Sequence, residues 1–329
     1  MADGGSPQDI LQRIKPILDK VAVDGLRAWL RSIDFTVPPL SRVAMTDFIA
    51  QKIAKEQLTE SALEAALIGF EEASDMRIYL LRLDDNEAKT ARKSLPGRLP
   101  QFGIPLTNQR TFAGARTSPM SPVYGQIQGD LLRVKWAEEH RRLRVNPDGS
   151  GLDSTPITKR AVLIADFSAG TAELRLNPAE NGHSYHDSSG RPTPDAYYRA
   201  YLQKCSDVLG CKCKPIELRP VIKNLVEQEE PRIIRIHIDN HTNQKNYSTT
   251  TRGPRADVRD NPDWRLAYNK NGSTWAWDAQ SFYWLPKLSS GFLTREVFSH
   301  IDAEDGFVKV NADITNDEVD YVVSQIRAR

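Results

Sequence analysis

The sequence is short of the residues that usually announce a protein's chemistry. It has 3 cysteines among 329 residues: Cys205, Cys211 and Cys213. The count is too low and too odd for a disulfide framework. Cys211-Lys212-Cys213 lacks the two-residue spacer of a zinc knuckle, and there is no second pair to complete one. Free or buried thiols in a reducing compartment are therefore expected. No apolar run approaches the roughly 20 residues that a bilayer span needs. The opening, MADGGSPQD, is polar and acidic, without the apolar stretch of a secretory signal. These absences predict an intracellular protein, in cytoplasm, nucleoid or nucleus, with no membrane contact.

An excess of charge of one sign is missing too. Lys and Arg total 44 against 43 Asp and Glu, a formal net charge of +1, which excludes a globally basic nucleic-acid binder and leaves only local patches. Enzyme signatures are equally scarce. There is no G-x-x-x-x-G-K-[ST] loop, no G-x-G-x-x-G after a strand and no G-x-S-x-G elbow. Nucleotide hydrolysis, dinucleotide redox chemistry and common acyl transfer lose their usual marks. No catalytic residue is assigned, and no cofactor or metal is expected.

What is present is an ordinary globular composition, 40% hydrophobic and 26% charged, long enough for two cores. Residues 1–83 read as a bundle of five short helices. Ser6-Pro7 is a start signal, and Ile10, Ile14, Ile17 and Leu18 share a face of a helix that Pro16 should kink or split. Leu26, Trp29, Leu30 and Ile33 follow. Val43, Phe48, Ile49 and Ile53 mark a third helix, Leu63, Leu67, Ile68 and Phe70 a fourth, and Ile78, Leu80 and Leu81 a fifth.

Residues 84–129 read as a basic linker. Between 88 and 129 there are five prolines, five glycines and no acid, a composition that opposes regular structure. Lys89, Arg92, Lys93, Arg98, Arg110 and Arg116 lie here.

Residues 130–329 read as a mixed β-sheet domain with packed helices, α+β overall. Leu132, Val134 and Trp136 alternate with Arg133 and Lys135, a strand with one buried and one basic face. Residues 161–167 and 171–176 form a hairpin. Tyr198, Tyr201, Leu202, Cys205 and Leu209 stripe a helix from Pro194 to Gly210, which places Cys205 on the core side. Residues 264–268 and 274–277 are aromatic strand candidates. The sequence Thr315-Asn316-Asp317-Glu318 is a capping box for a last helix carrying Val319, Val322, Val323 and Ile326. Strands followed by a helix occur twice, so the domain divides into halves at 130–230 and 231–329, an internal duplication without a residue-level repeat.

Three constellations compete for function. His183, His186, His237, Asp239 and His241 could supply metal ligands, but they sit in a polar loop and on a solvated strand face, and their spacing alone is weak evidence. Asp166 and Glu173 could be the paired carboxylates of a metal-dependent nuclease, yet Arg175 stands where a lysine is expected. The basic groups are more coherent. The linker cations are joined by Arg133, Lys135, His140, Arg141, Arg142 and Arg144, and by a second group, Arg252, Arg255, Arg259 and Arg265. Clustered cations beside hydroxyl residues suit phosphate contacts, although Glu138, Glu139, Asp257, Asp260 and Asp263 dilute them.

The order of these features resembles the centromere protein N family of the inner kinetochore. The likeness rests on Leu26-Arg27-Ala28-Trp29, on Ser61-Ala62-Leu63 opening a helix through Phe70, and on Met76-Arg77-Ile78-Tyr79-Leu80-Leu81. Leu132-Arg133-Val134-Lys135-Trp136 looks like that family's first β-domain strand. The resemblance implies a death-fold-like helical bundle, DNA and nucleosome binding through basic surfaces, and membership of a multi-subunit complex without catalysis. It carries over no individual contact residue.

The expectation is a non-catalytic DNA-binding or scaffold subunit. Lys89, Arg92, Lys93, Arg98, Arg110, Arg116, Arg133, Lys135, Arg141, Arg142 and Arg144 would contact phosphates with little sequence preference, and the helical bundle would dock protein partners. The alternatives are a metal-dependent nuclease or hydrolase, and a pure protein–protein adaptor.

Overall fold

The computed structural model describes residues 7–19, 21–114, 119–145, 151–179, 185–186, 189–191, 193–228, 231–240, 245–251, 255–272, 275–289, 291–310 and 313–329. In chain order its elements are α1 (Pro7–Leu18), α2 (Val23–Ser32), α3 (Arg42–Ala54), α4 (Glu60–Ala73), β1 (Arg77–Leu83), α5 (Asp85–Arg98), β2 (Ser121–Gln128), β3 (Leu131–Val145), β4 (Leu152–Asp166) and β5 (Thr171–Leu176). Then come α6 (Pro194–Leu209), β6 (Cys213–Pro215), α7 (Arg219–Val226), β7 (Arg232–Asn240), β8 (Lys245–Thr250), α8 (Pro262–Asn271), β9 (Ala276–Trp284), β10 (Val297–Asp302), β11 (Phe307–Val310) and α9 (Asn316–Arg327). The protein is mixed α+β, and the chain divides into two compact units, each discontinuous in sequence.

The first unit takes residues 1–74, 219–300 and 310–329. Three of its helices, α3, α4 and α9, start at side-chain caps. The Ser41 side chain accepts from Ala44 N and that of Thr59 from Ala62 N. Thr315 and Glu318 form the expected capping box. Leu26, Leu30, Met45, Ile49, Leu63, Leu67 and Phe70 are buried. Gly25 lets the Phe70 ring come close: an added Cβ would lie 3.0 Å from it. Strands β10, β9, β7 and β8 lie side by side in that order.

The second unit takes residues 75–218 and 301–309. Its strands run in the order β2-β3-β4-β5-β1-β11. The first residues of β1 pair with β11, and its last ones with β6. Helices α5 and α6 cover one face, burying Ala88, Ala91, Leu95, Tyr197, Tyr201 and Cys205 against Leu132, Val134, Trp136, Leu163 and Leu174.

Several expectations fail here for identifiable reasons. Residues 77–83 are a strand, not the fifth helix: Arg77-Ile78-Tyr79-Leu80-Leu81-Arg82-Leu83 is buried on both faces, and such a short apolar run carries no period that separates helix from strand. The stretch 84–129 is not a linker. Asp84 caps α5 by accepting from Asn86 N and Glu87 N, and Ala88, Ala91 and Leu95 give that helix a buried stripe. Pro96 and Gly97 fall in its last turn, Leu99–Phe102 follow as a 3₁₀ turn, and β2 comes next. Residues 130–329 are not one domain, since 219–300 and 310–329 group with the N-terminal helices. Residues 264–268 lie in α8, where Pro262 takes the first turn under an Asn261 cap. Pro16 does not split α1, which runs on to Leu18.

Candidate nucleic-acid interface

The expected basic strand is longer than its alternating segment. Strands β3 and β4 pair residue for residue from Leu131↔Asp166 to Val145↔Leu152. The flanking strands stop early: β2 follows β3 only to Ala137, and β5 follows β4 only from Ala161. Beyond those points, among the described residues, the two strands continue as a two-stranded ribbon. Its eight pairs, Glu138↔Lys159 to Val145↔Leu152, span roughly 23 Å at strand rise. Glu139, Arg141, Arg144, Val145 and residues 153–156 are exposed, and Arg142 is half-buried. Alternation puts Arg142 and Arg144 on one face and Arg141 on the other.

The ribbon is anchored where it leaves the sheet. Glu138 is 2% exposed and His140 3% exposed, on the β3 face that also carries Trp136. Thr193 caps α6, Pro194 takes its first position, and the helical repeat brings Tyr197 and Tyr201 to this point, one turn apart. The Tyr201 hydroxyl donates to Glu138 Oε1 at 3.1 Å, and the Tyr185 hydroxyl to Oε2 at 2.7 Å. Met120 N reaches Oε2 at 3.4 Å, and His140 Nε2 lies 3.3 Å from Oε1. Tyr197 packs edge-on against His140, Tyr185 and Tyr201. Burial pushes the Glu138 carboxyl up, but the bonds from His140, Tyr185 and Tyr201 outweigh it, so the group sits below its ordinary value. The Tyr185 and Tyr201 phenols are held well above theirs, chiefly by burial and then by the surrounding ionisable groups. The arrangement is a buried carboxylate saturated with donors. It suits fixing a ribbon better than moving a proton.

The predicted contact residues do not form one surface. Lys89 and Lys93 are exposed one turn apart on α5. Arg92 is held at the turn after β2, donating to Gly129 O with its Nε 3.4 Å from the Asp130 carboxylate. Arg98 donates to Asp207 O at 2.6 and 2.8 Å and lies over the Phe102 ring. Arg110 and Arg133 are half-buried. Arg116 lies outside the described residues.

Lys135 must be removed from the set. It is 0% exposed, its Nζ donating to Thr111 O at 2.9 Å beside the Tyr124 ring. Strand alternation marked it as solvent-facing. The structure covers that face with Ala113, Val123 and Tyr124, which cluster on Ala137. In the second basic group Arg252 lies outside the described residues, and Arg255 is exposed. Arg259 is taken up by Asp257 and Pro231 O, and Arg265 by Arg259 O and Asp260.

The nuclease carboxylates have other partners. Asp166 Oδ1 accepts from Ser168 N, Ser168 Oγ and Ala169 N in the β4–β5 turn. Glu173 forms a buried ion pair with Arg175 at 2.7 Å. Of the metal candidates, His183, His241 and the side chains of His237 and Asp239 lie outside the described residues. Among those that are described, no three His, Cys, Asp or Glu side chains are grouped to hold a metal ion. All three cysteines are free and buried.

The Glu138–tyrosine cluster escaped the sequence reading, although Tyr197 and Tyr201 at helical spacing were a signal for it. No protein-family model and no curated sequence matches the chain. Among the described residues no helix is long and apolar enough to cross a membrane.

Proposed function

We propose that the protein is a non-catalytic DNA-binding subunit of a larger assembly, contacting the phosphate backbone through the β3–β4 ribbon, with Lys89 and Lys93 on α5 as a separate contact outside that ribbon. One observation carries the reading. A paired, exposed ribbon bearing Arg141, Arg142 and Arg144 runs on past its sheet, and a two-stranded β-ribbon is one of the shapes that the major groove of duplex DNA admits. Arginine supplies a fixed fork of donors for phosphate. The acids beside these arginines, Glu139 and Asp153, favour contact along the backbone over deep insertion. The resemblance to centromere protein N, with the death-fold-like bundle that it implies, belongs to the same reading, as do an internal duplication of the β region and an intracellular setting.

Gel-shift titrations of duplex DNA at several salt concentrations test it. Each lost phosphate contact should reduce the slope of log affinity against log salt by about 0.9, so the change Arg141→Ala/Arg142→Ala/Arg144→Ala should reduce it by roughly 2–3. The pair Lys89→Ala/Lys93→Ala should remove up to about 2 more. Slopes unchanged in both variants would sink the proposal. Cleavage of the DNA with Mg²⁺ or Mn²⁺, abolished by Asp166→Ala, would replace it with the hydrolase reading.

A further inference from the structure

A cleft of about 690 Å³ opens within the first unit, lined by the end of α2, the turn before β10, and α9. Its most unusual feature is Phe292, 71% exposed beside Leu293, which is buried. The turn that presents it is pinned. Ser289 Oγ donates to Pro286 O at 2.7 Å and accepts from Leu293 N at 3.0 Å, while Phe292 N bonds Ser289 O at 3.0 Å.

Phe292 is also the outer step of an aromatic stair. It stacks on Tyr321 at 6.0 Å with 24° between the planes, and Tyr321 meets buried Trp284 edge-on at 6.1 Å. Around this platform stand Asp34, Asp317 and Asp320, all exposed. Glu318, on the same rim, is bound by Arg295 and by the cap of α9. The one cation of the lining, Arg31, donates to Val37 O at 3.3 Å. A flat ring face inside a rim of carboxylates complements a planar cation: guanidinium stacks on aromatic faces and takes carboxylates in its plane.

We propose that this cleft docks an arginine-bearing, cationic segment of a partner protein, with a guanidinium on Phe292 and the rim carboxylates of Asp34, Asp317 and Asp320 around it. The inference rests on reading the chain as an assembly subunit, and its test is separate from the DNA test.

The probe is a fluorescein-labelled hexapeptide of alternating arginine and leucine, titrated with the full chain at about 150 mM salt, where long-range attraction is screened. A glutamate–leucine hexapeptide is the control. Saturable binding of the cationic peptide alone is expected. Phe292→Ala, Phe292→Leu and Asp317→Asn/Asp320→Asn should each weaken it at least about fivefold. All these positions are exposed, so unchanged melting temperatures should accompany the loss, and DNA affinity should stay at the wild-type level. No saturable binding would overturn the proposal. So would a loss confined to the aspartate variant, which would mark diffuse attraction. Peptide binding without DNA binding would keep the docking cleft and sink the DNA reading.

Discussion

Tyr201 on α6 holds Glu138 on β3, hydroxyl to carboxylate, at 3.1 Å, at the residue where β3 loses its β2 neighbour. The bond joins a helix of the sheet's covered face to the root of the ribbon. Glu138→Ala should therefore lower folding stability by about 3 kcal/mol, since it strands several buried donors at once. Tyr201→Phe removes one of those donors and should cost about 1–2 kcal/mol. Urea denaturation of both variants decides this, and a change within about 0.5 kcal/mol for either would show the root to be ordinary surface.

The same cluster fixes a pH response. The Glu138 carboxyl is lowered in the folded protein, so the unfolded chain binds a proton there first as pH falls. Its contribution is complete above the ordinary value of 4.5 and is lost as pH drops through the lowered folded-state value. Tyr201 is raised. Its contribution is complete below pH 10 and declines as pH rises beyond that. In stability–pH curves Glu138→Gln should flatten the acid limb and Tyr201→Phe the alkaline one. Parallel curves for wild type and variants would refute the assignment.

Lys135 separates the structural from the sequence-based view of the basic surface. Lys135→Met keeps the bulk but leaves Thr111 O without the donor seen at 2.9 Å. It should lower stability by about 1–3 kcal/mol while leaving the salt dependence of DNA binding as in wild type. A reduced salt slope at full stability would put Lys135 back among the phosphate contacts.

Gly125 on β2 is a position with no room for a side chain. Its N–H donates to Pro105 O at 2.8 Å and its carbonyl accepts from Thr107 N at 2.9 Å, and a Cβ there would lie 2.7 Å from Ile104 Cγ2. Ile104 is branched and 1% exposed, so it has little freedom to give way. Gly125→Ala should cost about 1–3 kcal/mol by overpacking, read as a lower midpoint in thermal melts. An unchanged midpoint would mean that the segment beside β2 packs more loosely than described.

Local signals were legible in the sequence, and long-range ones were not. The stripe of α2, the cap and Gly210 stop of α6, and the capping box of α9 all lie within a few residues of what they control. β1 was misread because the strands it pairs with, β5, β6 and β11, lie far along the chain. α5 was misread because its core stripe, Ala88, Ala91 and Leu95, is small and hidden among cations and prolines. For the candidate site, Arg141, Arg142 and Arg144 were found by charge alone. The ribbon that carries them was not, since polar residues from 138 onward end the apolar alternation that marks a half-buried strand. The burial of Lys135 depends on Thr111 and Tyr124, which no local pattern connects to it.

The pairing of Arg77 with Lys309 joins residues about 230 positions apart, with consequences for how the molecule comes into being. On the ribosome, β1 finds β5 after about another hundred residues, but the partner for the start of its other edge, β11, follows only about 230 residues after β1. Until then those backbone groups stay open. Slow closure and a period of vulnerability to edge-to-edge association are the kinetic cost of such a layout. A nascent chain stopped before residue 307 should therefore depend on chaperones far more than the finished one.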